Sequence, residues 1–179
     1  VIKGYLNNFE NEIDKIGEFC NNITTFIKDN IELDISKDID MSQQFDQNFI
    51  RSGVDELLDL KTTDLKQSEM KLEAIRNYLN VLIEKKEKNG KSVDFVKIYE
   101  TEKNNFSLLC TNRRCKLLED ALPSIQTIVK IPYNNNNNEF DLVVSKSQFS
   151  FNKQSASNNC IVDEQITKLC KNISNIKVS

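Results

Sequence analysis

Between Tyr5 and Ile27 apolar side chains return every three or four residues: Tyr5, Leu6, Phe9, Ile13, Ile16, Phe19, Cys20, Ile23, Phe26 and Ile27. That spacing gathers them on one side of an α-helix, with Asn, Glu and Lys opposite, and predicts a helix over residues 4–30. Gly17 weakens it by about 1 kcal/mol relative to Ala. Residues 31–48, IELDISKDIDMSQQFDQN, lose the pattern and read as an ordered loop. Over residues 53–88 a narrower stripe takes over. Leu58, Leu65, Leu72 and Leu79 stand seven apart, and Ile75 and Leu82 lie three beyond the last two. A stripe this narrow packs against one helix; the expected partner is the C-terminal helix or helix 4–30. The remaining positions alternate in sign (Lys61, Asp64, Lys66, Glu69, Lys71, Glu73), as solvated faces do. EKKEKNGK closes the helix with cations, and Gly90 is the expected left-handed stop.

Beyond Gly90 the period changes from 3.6 to 2. SVDFVKIYE alternates Val93, Phe95, Lys97 and Tyr99 against Asp94, Val96 and Ile98, and NNFSLLCT follows a short turn at Glu102–Asn104, which predicts a hairpin. NRRCKLLEDALP reads as a short helix stopped by Pro123, and IQTIVKIPY and EFDLVVSKSQFSFNK as two or three further strands. The run Asn134–Asn138 is a low-complexity tip. VDEQITKLCKNISNIKV regains helical spacing through Ile166, Leu169, Cys170, Ile173 and Ile176, with Asp163 or Ser157 to cap it. The fold class expected is α+β: a long antiparallel helical stalk carrying a small, mostly antiparallel β domain. The divisions expected are 1–48 (first helix and linker), 49–160 (long helix and small sheet) and 161–179 (returning helix).

At the joint between the first two divisions stands FIRSGVDELLDLK. Ser52 reads as the N-cap of the long helix, and Asp55, Glu56 and Asp59 sit where carboxylates meet the positive end of the helix dipole.

Composition changes the picture mainly by exclusion. The 179 residues include no His, four Gly and five Cys. Without His the usual general base and nucleophilic triads fall away. There is no GxGxxG or GxxxxGK[ST], so no phosphate-cradling loop is expected, and the adjacent Asp55 and Glu56 point apart on a helix. No enzyme is expected, and no metal. Cys20, Cys110, Cys115, Cys160 and Cys170 are odd in number and widely spaced, which suits free thiols in an intracellular, reducing compartment. No run of 18 apolar residues occurs, so no membrane span is expected. No leader pattern opens the chain, and it reads as a piece of a longer protein. Charge is uneven: residues 1–90 hold 12 Lys/Arg against 18 Asp/Glu, and residues 91–179 hold 12 against 9. A modest basic excess in the second half suits a local phosphate contact.

The layout, with its words in order, resembles the lever and clamp of the MutS family of DNA mismatch-recognition proteins. FIRSGVDELLDLK is similar to that family's Ile-Arg-x-Gly-x-Asp-x-x-Leu-Asp word where the chain passes into the clamp. A long charged helix ending in Gly follows; then VKIYETEKNNFSLLCT is similar to the family's strand pair, and FNKQSASNNCIVDEQITKL to the segment that returns to the lever. Residues 40–179 carry the resemblance, and residues 1–30 fit the lever helix. The 23 Asn residues and diverged sheet resemble the branch found in large DNA viruses and some mitochondria. The family's Walker motifs and Phe-x-Glu mismatch reader do not occur in the chain.

The resemblance implies a non-catalytic clamp that touches the backbone of double-stranded DNA weakly and without sequence preference. It implies a parent protein that is an ATPase, a homodimer, and a user of ATP and Mg in a domain outside this chain; no cofactor is expected in the chain itself, and the compartment of DNA metabolism (viral, nuclear or mitochondrial) is left open. Within that reading Gly53 turns the chain from lever to clamp, and Arg51 pairs with Asp55 or Asp59 to fix the angle. The residues expected on DNA are Lys153, Gln154, Ser155, Ser157, Asn158 and Asn159 at the return turn, then Arg113, Arg114, Lys116 and Lys146. The rival reading is a coiled-coil module that pairs with another protein through the 58–82 stripe.

Overall fold

The computed structural model of the protein describes residues 2–37, 48–87, 94–101, 105–134 and 138–178, with side chains between 12 and 177. Gly90, the turn at 102–104 and the middle of the Asn134–Asn138 run lie outside the described residues. The fold is α+β with antiparallel sheets, and the chain divides into two compact units, Val1–Thr62 and Thr63–Ser179.

The first unit opens with α1 (Ile2–Asn30), the helix that the periodicity predicts. Its last turn is closed by Asn30, whose Nδ2 donates to Phe26 O at 2.7 Å. A four-residue helix, α2 (Leu33–Ser36), occupies part of the expected loop. Backbone bonds then tie residues 30–32 to 49–51: Glu32 N donates to Phe49 O, Arg51 N to Asn30 O, and Ile31 bridges Ile50 antiparallel. Val54 N donates to Arg51 O, so Arg51–Val54 is a β-turn, and Gly53 holds φ +93° at its third position. A positive φ there is what a type II turn demands, and Gly supplies it without strain.

The turn delays the next helix and moves its cap. α3 runs Glu56–Glu84, and its N-cap is Asp55, whose Oδ1 accepts from Leu58 N at 3.0 Å. Ser52 is used up in the turn and caps nothing. Asp59 reaches back to accept from Gly53 N at 2.6 Å. Arg51 turns away from both acids: its Nε donates to Ile31 O and its Nη2 lies 3.8 Å from Glu32 Oε2. The elbow is therefore held by Asp55, Asp59 and Gly53, while Arg51 braces the preceding bridge.

The second unit holds the rest of α3, both sheets and two more helices. β1 (Val96–Glu100), β2 (Phe106–Thr111), β5 (Ser150–Lys153) and β6 (Asn158–Val162) form one antiparallel sheet in the order β1-β2-β6-β5. β3 (Thr127–Pro132) and β4 (Glu139–Val144) form a separate antiparallel pair. Helix α4 (Asn112–Ala121) packs on β2 and β6, and α5 (Glu164–Val178) packs on β2. The expected single sheet is thus two. The strand that the sequence hides is β6: NNCIV begins with two Asn and has one fully buried residue, Ile161, so its period reads as a polar turn.

One core joins these elements. Leu72, Ile75, Leu79 and Ile83 of α3, Val96, Leu108, Leu118, Leu142, Val144, Ile161, Ile166 and Ile173 are all at most 1–2% exposed. On α3 the buried line runs Ser68, Leu72, Ile75, Leu79, Ile83, whereas Leu58, Leu65 and Leu82 are only half-buried. A straight helix drifts away from a strict seven-residue repeat, so the covered stripe moves from Leu82 to Ile83. α5 lies along this face, since Asn172 Nδ2 donates to Asp64 Oδ2 and Ser68 Oγ at 3.0 and 2.9 Å. Leu72 also borders a small cavity with Ile98, Phe106 and Ile173, so the stripe meets a hairpin as well as a helix. Asp163 caps α5, its Oδ1 accepting from Gln165 N and Ile166 N.

Candidate nucleic-acid interface

The expected DNA residues fall on three places in the second unit. The first is the β5–β6 hairpin, where Lys153 pairs with Asn159 and residues 154–157 form the loop. Gln154 N and Ser155 N both donate to Asn158 O at 3.0 Å, and Asn158 N donates to Ser155 Oγ at 3.1 Å. Those bonds close the loop tightly and leave Lys153, Gln154, Ser155 and Ser157 exposed. Asn158 is half-buried. Asn159 is half-buried and lies near the Cys115 thiol, which it helps to hold below its ordinary range.

The second place is the start of α4. Thr111, the N-cap, makes no side-chain bond to the helix. Asn112 instead reaches across to the hairpin loop: its N donates to Ser157 O and its Nδ2 to Ala156 O, both at 3.0 Å. This double bond brings the loop and the α4 N-terminus to one end of the unit. Unpaired amides of a helix's first turn, with the positive end of its dipole, favour an anion. Lys116 is exposed.

The two arginines differ. Arg113 Nη2 lies 3.0 Å from Glu87 Oε1, yet 76% of its side chain is exposed. Arg114 Nε lies 3.5 Å from Glu87 Oε2, and its guanidinium stacks 4.5 Å from the centre of the Phe95 ring. Only 7% of the Glu87 side chain is exposed, and a carboxylate so far removed from water must be paired. Arg114 is therefore committed to the interior, and Arg113 leans on Glu87 from the surface. The start of β1 is fixed nearby, Asn80 Oδ1 accepting from Phe95 N and Val96 N.

The third place is Lys146, whose N donates to Pro123 O beyond the far end of α4. Ten helical residues, about 15 Å, separate it from Asn112. Lys146 is thus not brought to the hairpin end. The elbow residues Arg51, Gly53, Asp55 and Asp59 lie in the first unit and are described with it.

Sequence reasoning passed over Asn112 and Glu87. Asn at the head of NRRCK is a residue type that bonds loop backbones, so its signal was legible. Glu87, one of several acids closing α3, carried none.

Below the site lie the thiols. All five cysteines are free. Cys115 Sγ contacts Cys110 O at 3.6 Å. The hydrogen bond that the two thiols share holds Cys115 below the ordinary thiol range and Cys110 above it. Among the described residues no cluster of three or more Cys, Asp or Glu side chains is gathered for a metal, and no helix is long and apolar enough to cross a membrane. Neither protein-family models nor the sequences of curated proteins match the chain.

Proposed function

We propose that the chain is a non-catalytic clamp for the DNA backbone, carried on a helical lever, from a MutS-like mismatch-recognition protein. What carries the reading is the pair of Asn112 bonds that sets the hairpin loop against the first turn of α4. They bring Lys153, Lys116 and Arg113 to one end with the loop hydroxyls and the α4 amides. Lysine, arginine and amide donors bind phosphate oxygens and carry no base information. The long stalk, the homodimer, and the ATP- and Mg-using domain outside the chain belong to the same proposal and rest on the sequence resemblance, as does an intracellular site of action.

A net charge of −3 keeps such a contact weak. The chain binds duplex with a Kd of about 10⁻⁴ M or poorer at physiological salt, and with two or three phosphate contacts log K falls against log salt with a slope of about −2 to −3. Anisotropy of a labelled duplex, titrated at two salt concentrations, measures this. Lys153→Ala lowers the magnitude of the slope by about one and weakens all sequences alike, whereas Lys66→Ala on α3 changes nothing. Wild-type chain that shows no salt-dependent binding, or a Lys153→Ala variant that titrates like wild type, overturns the reading. The coiled-coil reading predicts instead a stable dimer through Leu65 and Leu72 by sedimentation; Leu72 is already covered within the chain at 1% exposure.

A further inference from the structure

The β3–β4 pair has two outer edges, and the chain treats them differently. Tyr133 N donates to Asn138 O, which makes 133/138 a hydrogen-bonded pair. The register then makes Ile131↔Phe140 and Val129↔Leu142 hydrogen-bonded pairs too, because such pairs alternate along an antiparallel ladder. The main-chain groups of Asp141 and Val143 therefore point away from β3. The side chain of Gln165 takes one group of each, its Nε2 donating to Asp141 O and its Oε1 accepting from Val143 N, both at 2.9 Å. A single amide on α5 thus occupies the middle of one edge.

The other edge is open. By the same alternation Ile128 and Lys130 present N–H and C=O outward, and Pro132 presents C=O. None of these groups has a partner among the described residues. Pro132 suits an edge, having no N–H to lose. A groove of about 390 Å³ runs beside this edge, lined by Lys130–Tyr133 and by α3, whose Met70, Ala74, Tyr78 and Val81 make its wall apolar except at Glu73 and Asn77. Consecutive strand residues alternate faces, so four in a row border the groove only if it follows the strand's edge. Val81 is 45% exposed and Met70 37%. Lys130 is exposed on the outer face, where its cross-strand neighbour on β4 is Asp141, and no ion pair within 4 Å occupies it among the described residues.

We propose that this edge receives an extended segment of a partner protein as an added strand. The open groups from Ile128 to Pro132 accept about five residues. The added residue opposite Lys130 shares its outward face and is acidic, since opposite charges favour a cross-strand pair. The residues on either side of it turn inward and are apolar, filling the α3 groove. The partner motif is thus apolar-acidic-apolar in extended form. Nothing in this inference depends on the DNA site.

The test is a titration of the ¹⁵N-labelled chain with the capped peptide Thr-Val-Glu-Val-Thr. The Ile128 and Lys130 amides shift, and their hydrogen exchange slows at least tenfold at saturation. The Lys130→Glu variant binds this peptide about fivefold more weakly and prefers Thr-Val-Lys-Val-Thr, the upper end of one cross-strand ion pair. A peptide with Pro in place of Glu removes a central N–H and does not bind. Three results overturn the proposal: no shift at about 1 mM peptide, equal binding of the Pro peptide, or protection of Ile128 and Lys130 in peptide-free chain that rises with its own concentration. The last would assign the edge to a second copy.

Discussion

α1 and α3 are both 29 residues long, and both carry an apolar stripe. Their stripes meet opposite fates. On α3, within the second unit, Leu72, Ile75, Leu79 and Ile83 are at most 1% exposed. On α1, Phe19 and Phe26 are 64% and 66% exposed, and Ile13, Ile16 and Ile23 are exposed as well. The α1 stripe is also the more regular, with steps of three and four from Ile13 to Ile27. Periodicity therefore reports which face of a helix has something to gain from burial, and not whether this chain supplies the cover. In α3 the cover comes from α5 and from both sheets. The bridge at α1's end is held instead by main-chain bonds and by Arg51, groups that fix a chain's path without hiding its apolar surface.

The largest expected effect breaks the α3 side of that contrast. Leu72→Ala removes a core side chain that is 1% exposed and should cost about 2–5 kcal/mol, the range for a buried leucine. Urea unfolding followed by hydrogen exchange of the β2 amides measures it. A cost below about 1 kcal/mol would mean that the core around α3 collapses readily.

The next effect comes from the thiol that α5 brings to the same core. Burial pushes Cys170 up to about 11 from an ordinary 9.0. The unfolded chain then loses its proton at lower pH than the folded one, so the contribution is complete below about pH 9 and declines as pH rises towards about 11. The loss approaches about 2–3 kcal/mol at its end. Burial raises Tyr78 and Cys160 too, so Cys170→Ala should flatten only part of the alkaline fall in denaturant midpoint. An unchanged pH profile in that variant would show that the thiol is hydrated.

A smaller effect tests the elbow. At Gly53 an added Cβ would meet nothing within 4 Å, so only the φ of +93° resists substitution. Gly53→Ala should cost about 1 kcal/mol, the penalty of a left-handed backbone on an L-residue. The effect should stay within the first unit: amide exchange near Asp59, whose carboxylate holds Gly53 N, should quicken while β2 is unchanged.

How much of this was legible follows the same line. The helices α1, α3, α4 and α5, the β1–β2 hairpin and strands β3 to β5 were all written in spacing, because each has apolar residues at its own period. β6 was not, since its Asn158 and Asn159 owe their place to main-chain pairing with β2 and β5. The site was half legible. The basic and polar residues at 153–157 and 113–116 stood out by type, but that they share an end depends on Asn112, a contact over 44 residues of sequence. The commitment of Arg114 depends on Glu87 and Phe95, which no spacing links to it. The Arg51 partner was misread because Glu32 comes close only through the Ile31–Ile50 bridge.

The smallest expected effect is the most direct test of the contrast between the helices. Phe26→Ser replaces a large apolar side chain that is 66% exposed on α1. The folded chain already leaves most of that side chain in water, so little transfer free energy is at stake. Ser is a slightly poorer helix former than Leu or Ala but comparable with Phe, so propensity hardly changes. Stability should move by less than about 0.5 kcal/mol, as for surface substitutions generally, beside the several kcal/mol of Leu72→Ala. Binding of an apolar fluorescent dye should fall, because an open stripe of this kind is what such a dye finds. The pairing of results is what decides. A stability loss above about 1 kcal/mol in Phe26→Ser, at chain concentrations where sedimentation shows a monomer, would mean that this chain covers the α1 stripe in solution, and the two helices would cease to differ.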